Sequence, residues 1–116
     1  MHPEALSTIL AGEMDAGKAA RARGNEGRAR VCFRRAAGWA VATLRPGWQP
    51  STGMGNALEA LQWFQDEAHY DPELRGCARR LTTRLRSDHS LPFEEDPQAD
   101  AERLLAFVLG DGWGIS

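Results

Sequence analysis

The sequence predicts an all-α protein, an antiparallel up-and-down bundle of four to five helices, on three observations. Between Gly24 and Leu44, residues Ala29, Cys32, Phe33, Ala36, Ala37, Ala40 and Leu44 recur at the three-and-four spacing that collects side chains on one face of a helix. Asp71-Pro72 and Asp96-Pro97 each pair a capping carboxylate with a proline suited to a first helical turn, ahead of an amphipathic stretch. No segment shows the alternating, β-branched pattern of a strand bounded by turn residues.

Helix 1 begins near Pro3, carries Leu6, Ile9, Leu10 and Met14 on its buried side, and ends at Arg23 before Gly24. Helix 2 starts at Asn25 or Glu26 and runs to Leu44, where Arg45-Pro46-Gly47 stops it. Its face is made mostly of small residues, so neighbours can approach closely while Phe33 and Leu44 fill the gaps, which makes it the expected central helix. Helices 1 and 2 are expected to form an antiparallel hairpin.

The breaker-rich stretch from Pro46 to Gly55 reads as a surface crossover loop, with Trp48 as an anchor that packs down onto the core. Helix 3 spans about Asn56 to Ala68, with Leu58, Leu61 and either Trp63 or Phe64 inward. Helix 4 follows Asp71-Pro72-Glu73 and ends near Ser87; Leu74, Cys77, Ala78, Leu81 and Leu85 form its buried stripe. Helix 5 opens at Asp96-Pro97, buries Ala101, Leu104, Leu105 and Val108, and closes at Gly110. The tail 111–116 is expected to fray. A tetratricopeptide unit near Cys32 is excluded, because no second 34-residue copy exists to cover its face.

The 116 residues suit one domain spanning residues 1–116, large enough to build a core without disulfides or a metal. No run approaches the roughly eighteen apolar residues of a membrane span. MHPEALSTIL lacks the basic region and long apolar core of a secretion signal, so a cytoplasmic location is expected. Cys32 and Cys77 lie on separate apolar faces outside any Cys-x-x-Cys pair, and both read as buried free thiols.

The net charge of −2 conceals a polarity along the chain. Met1–Arg45 holds eight Lys or Arg against four Asp or Glu, whereas Glu94–Ser116 holds one against six. Thirteen of the fourteen basic residues are arginine, whose planar fork suits phosphate or carboxylate. On helix 2, Arg28 pairs in register with Arg35 and Arg30 with Arg34; with Arg80 of helix 4 these form a candidate surface for nucleic acid or another anion. A solvated arginine face produced by codon bias accounts for the same composition. If helix 5 covers the helix 2 arginines, the acidic third of the chain neutralises them within the domain, and the nucleic-acid reading weakens.

No glycine-rich phosphate loop, nucleophile elbow, His-Glu-x-x-His or zinc-spaced Cys/His cluster is present. His2, His69 and His89 are widely separated, and neither a metal nor a cofactor is expected. Arg84-Leu85-Arg86-Ser87-Asp88-His89 places a histidine and an arginine close together at the end of helix 4. Such a pair can cleave RNA without metal, the imidazole moving a proton and the guanidinium stabilising the charged phosphorane-like transition state.

The order of helices and loops from Leu6 to Leu109 resembles the HEPN family of small helical bundles. GNEGRARVCFRRAAGWAVATL is similar to that family's second-helix region, and PELRGCARRLTTRL followed by DPQADAERLLAFVL looks like its later helices. The resemblance implies a homodimer; many members are metal-independent ribonucleases with an arginine, four to six intervening residues and a histidine at the shared face. Others partner minimal nucleotidyltransferases or bind nucleotides. Arg84 and His89, with four residues between them, match that spacing and would be the catalytic pair.

Three functions are therefore expected in order: a dimeric HEPN-like module binding nucleotide, RNA or a partner protein through arginine-rich faces; a toxin-type ribonuclease using Arg84 and His89; and a structural subunit docking a protein on Trp39, Trp63 or Trp113.

Overall fold

Gly24 adopts a left-handed conformation, φ +82°, and turns the chain between α1 (Pro3–Ala22) and α2 (Glu26–Ala42), laying the two helices antiparallel. This is a computed structural model, and it describes residues 3–49, 55–88 and 90–110. Three further helices follow: α3 (Ala57–Gln65), α4 (Pro72–Thr82) and α5 (Pro97–Leu109). The architecture is an all-α up-and-down bundle, with no strand among the described residues.

α2 is the central element and packs against all four other helices. Its small residues permit this. Ala29, Cys32, Phe33, Ala36, Ala37, Gly38, Ala40, Val41 and Ala42 are all buried, so the helix can be approached from several sides at once. Gly17 of α1 lies on the Phe33 ring, and Gly38 lies on the Ala57 backbone at the start of α3; a Cβ at either position would overlap its neighbour. Leu10, Met14, Leu61, Phe64, Leu104 and Leu105 fill the remaining volume with Phe33, each contributing on the order of 1.5–3 kcal/mol of burial. On α3, Phe64 rather than Trp63 turns inward beside Leu61, while Leu58, expected inward, is 40% exposed.

The helix starts follow their caps. The Asn25 side chain accepts from Arg28 N, that of Asn56 from Glu59 N, and that of Asp71 from Glu73 N. Trp48 packs partly buried against the core, as an anchor.

α2 ends at Ala42, two residues before Leu44, and two further helix ends come earlier still than the sequence suggests. α3 stops at Gln65 rather than Ala68, since Asp66 and Glu67 put negative charge at the negative end of the dipole. Arg75 donates at 3.4 Å to the freed Gln65 carbonyl. α4 stops at Thr82, five residues before Ser87. The Thr82 and Thr83 hydroxyls both bond back to the Arg79 carbonyl, at 2.9 and 2.8 Å, and Thr83 turns extended at ψ 138°. Leu85 therefore leaves the α4 stripe and lies half-buried in the following segment. The tail 111–116 and residues 50–54 of the crossover loop lie outside the described residues.

Candidate functional site

Because α4 ends at Thr82, the segment from Thr83 onward runs back beside the N-terminal half of α2. Arg30 Nη2 donates at 3.0 Å to the Thr83 carbonyl. That bond ties the arginine face of α2 to the segment that carries Arg84, two features far apart in sequence. Between them lies a cleft of about 480 Å³ lined by Glu26, Gly27, Arg30, Leu85, Leu91 and Phe93, a size suited to a small ligand.

Arg30 is the only cation in that lining. Burial, and then the like charge of Arg34 one turn on, push its guanidinium below the usual arginine range. No carboxylate forms an ion pair with it among the described residues. Glu26, the acid of the lining, is held by Arg21, with Nε–Oε1 at 2.9 Å and Nη2–Oε2 at 3.2 Å. Arg21 also reaches Asp96 at 2.8 Å and Gln98 at 3.1 Å, so one guanidinium joins the end of α1 to the starts of α2 and α5.

The remaining predicted anion-binding residues divide. Arg28 is exposed and Arg34 half-buried, and neither has a carboxylate partner among the described residues. Arg35 pairs with Glu13 of α1 at 2.8 Å and lies over the Trp39 ring, 5.7 Å from its centroid. Arg80 does not fit the anion-binding expectation. It is turned inward to Asp100, with Nε–Oδ2 at 2.9 Å and Nη2–Oδ1 at 2.8 Å, and Nη1 lies 3.3 Å from Glu95. The bond to Asp100 raises the Arg80 pKa. The acidic stretch thus neutralises Arg21 and Arg80, and the described part of it forms no ion pair with the α2 arginines.

Arg84 is exposed in the extended segment beside the cleft, and His89 lies outside the described residues. Ahead of it the chain turns, with Arg86 N donating to Ser90 O at 2.8 Å and Asp88 Oδ1 accepting from Ser90 N and Oγ. Those hydrogen bonds hold the Asp88 carboxyl below its ordinary range. His69 is exposed in the turn between α3 and α4, its ring 4.1 Å from that of Tyr70; His2 lies outside the described residues. Among the described residues no group of three or more His, Cys, Asp or Glu is placed to hold a metal ion. Among the described residues no helix is long and apolar enough to cross a membrane.

Cys32 and Cys77 are buried free thiols. Burial, reinforced by the nearby Asp100 carboxylate, pushes the Cys77 thiol up to about 11, which makes it a poor nucleophile at neutral pH. Of the tryptophans expected to dock a partner, Trp39 is half-buried under Arg35 and Trp63 under Arg45, while Trp113 lies outside the described residues.

Sequence reasoning missed Arg21, Leu91 and Phe93. Leu91 and Phe93 are apolar residues inside a polar loop, SDHSLPFEED, and that contrast was the available signal. No protein-family model, curated protein or solved structure matches this chain.

Proposed function

We propose that this protein is a HEPN-like, non-catalytic binding module that takes a nucleotide or RNA phosphate in the cleft beside Arg30. One observation carries the reading: a part-buried arginine without a carboxylate partner among the described residues sits in a cleft whose other lining residues are Glu26, Gly27, Leu85, Leu91 and Phe93. An anion placed there offsets both the burial of the guanidinium and its repulsion from Arg34. The apolar walls suit a base and the arginine suits its phosphate. Glu26 does not oppose the anion, since Arg21 already holds it. The HEPN resemblance adds a homodimer, with a nucleotidyltransferase as a further partner class, and the N-terminal sequence suits a location in the cytoplasm.

The test is thermal unfolding at low salt with and without uridine monophosphate and a short RNA, on wild type and Arg30→Gln. The reading expects a rise in Tm in the wild type and none in the variant. No shift in the wild type, or an equal shift in both, overturns it.

A metal-independent ribonuclease using Arg84 and His89 is favoured by one observation, the exposed Arg84 directly after the residue that Arg30 holds. RNA cleavage in EDTA that disappears in His89→Ala would establish that activity in place of binding alone.

A further inference from the structure

We propose that the ligand is a single strand of nucleic acid, not a free nucleotide, and that it runs from the Arg30 cleft along α4 over Arg79 and Arg75. This rests on the reading above. Arg75, Arg79 and Thr83 follow one another at four-residue intervals, which keeps them on one stripe of α4 and its continuation. The stripe is about 12 Å long at a rise of about 1.5 Å per residue. Its upper end is the Thr83 carbonyl that accepts from Arg30, so the stripe leads into the cleft.

At its lower end lies a second cleft of about 400 Å³, lined by Gln65, Asp66, Pro72, Arg75, Gly76 and Arg79. Arg79 is exposed and forms no ion pair among the described residues. Arg75 is half-buried, its guanidinium makes one long hydrogen bond among the described residues, to the Gln65 carbonyl, and its Nε is buried without a hydrogen-bond partner. Asp66 shares the wall but pairs with neither arginine, and the cleft stays cationic. Gly76, between the two arginines, adds no side chain to the floor. Two arginines one turn apart, joined to a base-sized apolar cleft holding Phe93, have the form of a single-strand track, with phosphates on the guanidinia and a base against an aromatic ring. A mononucleotide would use only the cleft.

Binding of uridine monophosphate and of oligouridylates of two, four and eight units is measured at several salt concentrations on the full chain. In the wild type, affinity should rise at least tenfold from monomer to octamer, and the octamer's salt slope should be steeper by about 1.4 for two added phosphate contacts. Arg75→Gln/Arg79→Gln should lose that gain while binding the monomer as the wild type does. Arg79→Gln alone, at an exposed position, should lose about half of the slope increment and guards against misfolding of the double variant. Arg103→Gln, which removes an arginine paired with Glu73, should change neither quantity. Equal binding of monomer and octamer, an unchanged length gain in the double variant, or an equal loss in Arg103→Gln overturns the track and leaves the cleft standing. Failure of the monomer to bind as well overturns the cleft reading too.

Discussion

Arg80 of α4 and Asp100 of α5 are joined by two parallel hydrogen bonds of 2.9 and 2.8 Å, and Asp100 is only 3% exposed. Removing one partner leaves the other charge buried and unpaired. Asp100→Ala should lower stability by about 3 kcal/mol in urea denaturation. A double replacement, Arg80→Met with Asp100→Leu, should cost less than the single change, because no orphaned charge remains. A loss below about 1 kcal/mol for Asp100→Ala would mean that water reaches the pair and screens it.

Two glycines on exposed and buried helix faces should respond in opposite directions. Gly38→Ala forces a methyl into the Ala57 backbone and should destabilise by about 1–3 kcal/mol. Gly12→Ala, with nothing near the added methyl on α1, should stabilise by about 0.5–1 kcal/mol through helix propensity. Melting curves of the two variants check both signs.

Cys77 gives the fold an alkaline sensitivity. Its thiol titrates near 11 when folded against an ordinary 9.0. The unfolded chain thus loses the proton first, and stability falls as pH rises between those values. The denaturation midpoint should drop more steeply over this window in the wild type than in Cys77→Ala. At neutral pH the native thiol should resist alkylation until the protein unfolds.

Arg21 should influence ligand binding without lining the cleft. Arg21→Gln frees the Glu26 carboxylate beside Arg30, and affinity for uridine monophosphate should fall severalfold at low salt. Adding Glu26→Gln to that variant should restore it. If the single variant binds normally, the Glu26 charge does not reach the anion.

The bundle was legible in the sequence because its determinants are local. Gly24, the small-residue face of α2, the Asp-Pro starts and the apolar stripe of α5 act over three or four residues, and the helices stand where these signals put them. The early ends of α3 and α4 were less legible. Thr82 and Thr83 do bond back locally, but the extended Thr83 is also held by Arg30, which lies on a different helix.

The sequence by itself determined that the chain is a helical bundle of four to five helices, most of the positions that it buries and where the arginines concentrate, since periodicity and capping depend on near neighbours; Leu58 and Leu85, both expected inward, are exceptions. Only the tertiary structure decided which arginines remain available. Arg35, Arg21 and Arg80 are neutralised by Glu13, Asp96 and Asp100, and the last two of those acids lie in the acidic stretch near α5. Arg30 has no carboxylate partner among the described residues and comes to rest beside Leu85, Leu91 and Phe93. Ion pairing is set by distances of a few ångströms in space, and residues 75 apart along the chain carry no sequence signal that they will meet.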